Sequence, residues 1–297
     1  MHTLNSDCTT GATLDSPCEE LNAITDAEYG QIRDYFYKYS GIFFDDSKRY
    51  FVDKRVLNRI RATGYSDFRS YFSHLRFDPQ QDEMQFLVNL MTVNETYFFR
   101  EEYQLKAMVH GALQDIVKHK RKGDTIRIWS LPCSTGEEAF SIALYLLEFW
   151  PQLADYEVEI IGSDIDTRVL QKAKHGVFSA RSVKNLPKYI TRKYFKKMPN
   201  DTYELATDVR ECVGFAPVNL HEDSSMANFA KFDLVYCRNL LIYFDDVSRR
   251  QAAERLFDAL NPGGVLFLGH SETMSRMSSL FKVRRYNDTN GYQKELA

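Results

Sequence analysis

The sequence predicts an α/β protein in which a small all-helical domain precedes a mostly parallel sheet. From about residue 125 onward, apolar strand patterns alternate with helix patterns, which is typical of a parallel sheet with helices on both faces. The first of these strands leads directly into a tight loop and a helix start, in TIRIWSLPCSTGEE at residues 125–138. Residues 25–91, in contrast, show helical periodicity and capping signals only.

Four helices are predicted in residues 25–91, each with a start signal. Their predicted starts are the capping box Thr25-Asp26-Ala27-Glu28, then Asp45, Asp46 or Ser47, then Ser66, and finally Asp78-Pro79. Residues 1–24 are polar and without period, so we interpret them as a mobile tail. Residues 92–104 are predicted to link the helical domain to the α/β domain, which takes residues 105–297.

The α/β domain is predicted to contain further strands after the first strand and its helix. They are Glu157–Asp166, a weaker strand at Val209–Pro217, Phe232–Cys237, Val265–Leu268 and two antiparallel pieces within Lys282–Lys294 with a turn at Asp288–Gly291. A basic, proline-containing stretch at about 178–208 does not fit a crossover connection, so we interpret it as an inserted accessory subdomain.

Composition narrows the function classes. The net charge of −3 does not favour a nucleic-acid binder, and the five cysteines show no metal-ligand spacing, so no metal is expected. The sequence has neither a signal-peptide pattern nor an apolar run long enough to cross a membrane. We therefore expect a cytoplasmic protein without direct membrane insertion.

The loop at residues 131–138 predicts an adenosyl ligand. It follows a strand and precedes a helix, but it has neither the GxGxxG pattern of dinucleotide sites nor the GKS or GKT of a P-loop. Asp164 ends the next strand, where a carboxylate can accept hydrogen bonds from ribose hydroxyls. Asp166 is expected to cap the following helix, and either Glu137 or Glu138 is a candidate ligand contact or a simple first-turn carboxylate.

Two other segments carry candidate ligand contacts. Asn94, Thr96 and Arg100 place three polar side chains in the interdomain junction, although the same segment could be a linker whose aromatic residues pack into the core. Asn239 and Tyr243 follow the strand Phe232–Cys237, on the side where ligands bind in open α/β sheets. For Tyr243, the alternative is a core aromatic residue.

The helical domain contains a strongly basic segment. Residues 48–76 hold eight Lys or Arg and two Asp, a local charge of 8 − 2 = +6 on a molecule of net charge −3. Arg55 and Arg59 share a face of the predicted second helix. Such runs are usually solvated surface, but the charge asymmetry suggests an acidic partner.

Taken together, five segments resemble the chemotaxis receptor methyltransferases, the CheR family. They are MTVNETYFFRE, IWSLPCSTGEEAFSIAL, GSDID, CRNLLIYFD and LNPGGVLFLGHSE, and the resemblance runs from about Thr25 to Tyr292. It implies a Rossmann-like S-adenosylmethionine-dependent methyltransferase sheet with a small inserted antiparallel β-subdomain, preceded by a small all-helical domain. It also implies transfer of a methyl group to glutamate side chains on the cytoplasmic helical region of chemoreceptors, with S-adenosylhomocysteine as product.

The resemblance implies a role for particular residues. Arg100 and Tyr243 would lie nearest the transferred methyl, and Arg55 and Arg59 would face the acidic receptor helices. The implied cofactor contacts are Asn94, Thr96, Arg100, Glu138, Asp164, Asn219, Leu220, Arg238 and Asn239. A monomer is expected.

Two alternatives remain at this stage. A nucleic-acid methyltransferase would commonly carry a proline-containing tetrapeptide after the fourth strand, where this chain has CRNLLIYF. A catalytically silent module that senses S-adenosylmethionine or docks receptors would keep the fold without turnover. Because a glutamate carboxylate, with a reference pKa of about 4.3, is already ionised at neutral pH, no general base is expected.

Overall fold

The computed structural model describes residues 23–296, so most of the predicted tail lies outside the described residues. The helices are α1 (Asp26–Ser40), α2 (Arg49–Thr63), α3 (Phe68–Phe77), α4 (Asp82–Met91), α5 (Glu102–Ala107), α6 (Leu113–Val117), α7 (Glu137–Phe149), α8 (Thr167–His175), α9 (Ala180–Val183), α10 (Lys188–Tyr194), α11 (Thr207–Glu211), α12 (Asp223–Met226) and α13 (Asp246–Ala259). The strands are β1 (Thr125–Leu131), β2 (Glu157–Asp164), β3 (Val177–Ser179), β4 (Phe195–Met198), β5 (Thr202–Leu205), β6 (Val213–Pro217), β7 (Phe232–Cys237), β8 (Leu260–Leu268), β9 (Lys282–Tyr286) and β10 (Thr289–Gln293).

The helical domain begins as its capping signals predict. The Thr25 hydroxyl accepts from the Glu28 amide at 3.3 Å, the Glu28 carboxylate accepts from the Thr25 amide at 2.8 Å, and Gly41 ends α1 in the left-handed conformation. Two predicted starts were wrong. Asp67, not Ser66, caps α3, because its carboxylate accepts from the Ser70 amide at 2.8 Å. The fourth helix starts at Asp82 rather than near Asp78, since Asp78 ends α3.

The main sheet has seven strands in the order β6-β2-β1-β7-β8-β10-β9. The first five are parallel, and β10 and β9 add an antiparallel hairpin at the edge. Strand β6 starts only at Val213, because residues 207–211 form a helix. The hairpin turn lies at Asn287-Asp288 instead of Asp288–Gly291. Because β1 lies between β2 and β7, the loops after these three strands meet at one edge of the sheet.

The inserted segment forms a separate antiparallel sheet in the order β3-β5-β4. Its aromatic residues meet the interdomain junction: the Phe98 ring lies 4.8 Å from Phe178 and 5.2 Å from Phe195, in both cases edge to face. The predicted fold class, including the inserted β-subdomain and the preceding all-helical domain, is confirmed.

The helical domain contacts the α/β domain close to the end of β7. The Phe43 amide donates to the Tyr243 carbonyl at 3.0 Å, and Ile42 and Phe244 form an antiparallel bridge. The Tyr37 hydroxyl also donates to Asp245 at 3.0 Å. The helical domain therefore helps to hold the segment that carries Tyr243. None of the helices within residues 23–296 is both long and apolar enough to cross a membrane.

Candidate functional site

A crevice lies at the carboxyl ends of β1, β2 and β7, beneath the interdomain junction. Eight of the sequence-predicted residues line it: Asn94, Thr96, Arg100, Glu138, Asp164, Arg238, Asn239 and Tyr243. The crevice therefore brings together side chains that are up to about 150 residues apart in sequence, as the sheet topology dictates.

Asp164 is a buried carboxylate at the end of β2, and 2% of its surface is exposed. One oxygen accepts from the Ser134 amide and the other from the Asp166 amide, both at 2.9 Å. Burial raises its pKa to about 6, against the lowering effect of these two hydrogen bonds. No cation lies within ion-pair distance among residues 23–296. Each oxygen keeps a lone pair, so the carboxylate can accept from a ligand's hydroxyls.

Asp166 organises the junction, in addition to capping α8 as predicted. One carboxylate oxygen accepts from the Arg168 and Val169 amides. The other accepts from the Thr92 hydroxyl at 2.8 Å and from the Asn94 side-chain amide at 2.9 Å. Asn94 therefore lines the crevice with its side chain held in place by Asp166.

A buried ion cluster forms the floor of the crevice. The Arg238 guanidinium lies 2.9 Å from the Glu138 carboxylate and 3.2 Å from that of Glu101, and the Ser130 hydroxyl donates to Glu138 at 2.8 Å. Burial acts to lower the pKa of Arg238, but the two carboxylates outweigh it and raise the pKa above its ordinary value. Burial raises the pKa of Glu138, which Arg238 opposes. The buried Nε of Arg238 has no hydrogen-bond partner among the described residues.

The predicted catalytic pair lines the same crevice. Arg100 donates to the Glu95 carbonyl at 2.8 Å, and its guanidinium carbon lies 5.8 Å from the centre of the Tyr97 ring. Burial raises the pKa of Tyr243, so its hydroxyl stays protonated at neutral pH; the nearby Arg100 charge acts in the opposite direction. The junction both packs into the core and contributes to the crevice. Phe98 and Phe99 are buried in the core, while Tyr97 lines the crevice.

Two implied cofactor contacts lie beside the crevice rather than in it. Asn219 and Leu220 line a small neighbouring cavity that shares Pro132 with the crevice wall. The Asn219 side-chain amide donates to the Tyr39 carbonyl at 2.7 Å, and its oxygen accepts from the His221 amide. The Asn219 side chain is therefore engaged in holding α1 against the α/β domain.

Arg55 and Arg59, which are predicted to face a receptor, have partners inside the helical domain. Arg55 donates to the Leu90 carbonyl at 2.6 Å and stacks on the Phe51 ring. Arg59 binds the buried Glu83 with two hydrogen bonds of 2.9 and 2.6 Å. Both arginines lie on α2 and bind groups on α4, so they join these two packed helices. The exposed cations of the basic segment include Lys48, Lys54, Arg69 and Arg76.

Sequence reasoning missed two residues of the site: Ser134 supplies a backbone amide to Asp164, and Glu101 pairs with Arg238. Of the two candidate carboxylates Glu137 and Glu138, Glu137 turns away from the crevice and accepts from the Thr135 and Ser182 hydroxyls. The loop STGEE singled out the region, but only the fold decides which of its groups face the ligand. Residues 23–296 contain no group of three or more His, Cys, Asp or Glu side chains arranged to hold a metal.

Comparisons with known proteins match most of the described chain. Residues 94–289 match the family described as CheR methyltransferase, SAM binding domain, and residues 27–92 match CheR methyltransferase, all-alpha domain. The chain is 55% identical over 271 residues to chemotaxis protein methyltransferase 2 of Vibrio cholerae, covering 91% of this chain and 94% of that protein. It is 33% identical to the chemotaxis protein methyltransferase of Escherichia coli, covering 89% and 91% of the two chains.

Proposed function

The chain belongs to the CheR methyltransferase family, and we propose that it transfers a methyl group from S-adenosylmethionine to glutamate side chains of chemoreceptors. The products would be glutamate methyl esters, formed for chemotactic adaptation, and S-adenosylhomocysteine. The observation that carries the proposal is the convergence of Asp164, Arg238, Asn239 and Tyr243 with the junction residues in one crevice. We further propose that the acceptor is the cytoplasmic helical region of the receptor and that the enzyme acts as a cytoplasmic monomer.

The donor set of the crevice fits S-adenosylmethionine. Asp164 has acceptor capacity for the ribose hydroxyls, since each of its oxygens accepts one backbone amide at 2.9 Å and keeps a further lone pair. The unpartnered Nε of Arg238 provides a buried cationic donor for the methionyl carboxylate. Glu138 provides a carboxylate for the methionyl ammonium, and Thr96 and Asn239 add polar groups to the walls. Asn219 and Leu220, at the neighbouring cavity, are proposed as adenine contacts.

The reaction requires alignment rather than proton transfer. S-adenosylmethionine supplies an electrophilic methyl on a sulfonium, which an ionised carboxylate can accept without a general base. Arg100 is proposed to orient the incoming carboxylate, because its guanidinium is fixed by the Glu95 carbonyl and the Tyr97 ring. Tyr243 presents a phenol whose raised pKa keeps it neutral, so it can donate a hydrogen bond near the reacting atoms.

Transfer of a labelled methyl group to a purified receptor fragment tests the proposal. We expect label in the fragment that is released as methanol by mild base, because carboxyl esters hydrolyse under conditions that leave methylamines intact. Asp164→Ala should abolish transfer, whereas Glu254→Ala, which removes an exposed carboxylate from α13, should leave it unchanged. Binding of S-adenosylmethionine without any transfer would instead identify a silent sensing or docking module.

A further inference from the structure

We propose that Glu272 is a positioning residue for the cofactor site, acting through the segment from Asn239 to Tyr243. Glu272 belongs to the motif LNPGGVLFLGHSE but does not line the crevice. The inference rests on the assignment of this crevice as the S-adenosyl site.

Glu272 is a buried carboxylate that accepts hydrogen bonds from three backbone amides. One oxygen accepts from the amides of Asn239 and Gly269, and the other accepts from the amide of Leu241, all at 2.8 Å. Only 9% of its surface is exposed, and no Lys, Arg or His of residues 23–296 lies within ion-pair distance. Burying a carboxylate without a cation costs free energy, so the three hydrogen bonds from backbone amides must stabilise its charge.

These hydrogen bonds fix the start and the middle of the segment from Asn239 to Tyr243. Asn239 adopts the left-handed conformation, with φ of 59°, which few residues other than glycine adopt. Leu241 begins the 3-10 turn Leu241–Tyr243. By holding the amides of Asn239 and Leu241 on one carboxylate, Glu272 sets the direction of the Asn239 side chain and the start of the turn that carries Tyr243.

Gly269 provides a second observation that the arrangement is built closely. A Cβ atom at Gly269 would lie 2.8 Å from the Glu272 carboxylate and 3.0 Å from the Asn239 side-chain nitrogen. Since real Cβ atoms do not approach so closely, a side chain at Gly269 would displace Glu272, Asn239 or both. Gly269→Ala therefore perturbs the same arrangement without altering the carboxylate.

A positioning role and a purely structural role predict different binding results. Glu272→Gln replaces an acceptor oxygen by an NH2 group that faces backbone donors. If Glu272 acts only on stability, the folded fraction falls while each folded molecule keeps its affinity for S-adenosylhomocysteine. If it positions Asn239, the affinity of the folded molecules falls, by up to about tenfold for the loss of one hydrogen bond to the ligand.

A double-mutant cycle separates the positioning role from the purely structural role. It measures S-adenosylhomocysteine binding by calorimetry, alongside the melting temperature of each variant. We expect Glu272→Gln and Asn239→Ala each to weaken binding, and the double variant to bind no more weakly than the worse single variant. Gly269→Ala should reproduce the loss and carries the test alone if Glu272→Gln does not fold. Asp233→Asn is the matched control, because Asp233 is a buried carboxylate at the opposite end of β7 and accepts from the Arg127 amide. It should lower the melting temperature and keep the affinity.

Unchanged affinity in Glu272→Gln and Gly269→Ala, or additive losses in the double variant, would overturn the proposal. Failure of the site assignment itself looks different, because then the wild type would not bind S-adenosylhomocysteine or Asn239→Ala would bind it normally.

Discussion

Protonation of Asp164 should weaken S-adenosylhomocysteine binding below about pH 6, the value to which burial raises its pKa. Ribose hydroxyls donate to the ionised carboxylate, so binding favours the charged form and lowers this pKa. The affinity for S-adenosylhomocysteine should therefore be constant well above pH 6 and should fall as the pH drops through this value. At about pH 5 only one molecule in about eleven carries the ionised carboxylate, which predicts about a tenfold loss, or about 1.4 kcal/mol.

Calorimetric titration between about pH 5 and 8 measures this effect, and buffers of different ionisation enthalpy count the protons released. About half a proton should leave per ligand bound near pH 6. Asp164→Asn is the control, since it removes the titrating group and should bind more weakly with no pH dependence in this range. A flat profile for the wild type would refute the reasoning, and the same slope in Asp164→Asn would assign the titration to another group.

Four further outcomes are expected. Tyr243→Phe should lower kcat and change the S-adenosylhomocysteine Kd by less than about twofold. The wild-type single-turnover rate should stay flat from about pH 6.5 to 8.5, and a steep rise would reveal a titrating base. Arg59→Met should lower the free energy of unfolding by about 3 kcal/mol in urea titrations, because Glu83 then remains buried without its cation, and an unchanged midpoint would contradict this. Asp166→Ala should weaken S-adenosylhomocysteine binding as well as lower stability, whereas Asp67→Ala, which removes the cap of α3, should lower stability by about 1 kcal/mol and leave binding unchanged.

The predicted elements that the structure confirms had local signals. The capping box at Thr25 and the apolar run of β7 are defined by neighbouring residues, so the sequence alone was sufficient. The helical stretch from Glu102 to Val117 was not predicted, because a π-helical turn at Met108–Ala112 interrupts its period. Gly111 lies inside that turn, where a Cβ atom would overlap the Tyr286 ring. The glycine therefore serves a distant packing contact, which a local pattern does not reveal.

The site was predictable in its residues more than in its contacts. Asp164 and Asn239 follow strands whose carboxyl ends meet, so the topology brought them together. In contrast, the charge pattern around Arg59 could not distinguish a surface cation from one paired with Glu83, which lies 24 residues further along the chain. Glu272 was inside a recognised motif, but its role depends on backbone amides that only the folded chain places around it.

The chemical identity of the methylated group tests the central claim most directly. Mass spectrometry of a receptor fragment after reaction with S-adenosylmethionine should locate one added methyl group on a glutamate of its helical region, and hydroxide should remove it. The Tyr243→Phe enzyme should give the same modified glutamate more slowly. A methyl group that resists hydroxide, or one found on a lysine, an arginine or a nucleic acid in place of a glutamate, would contradict the account.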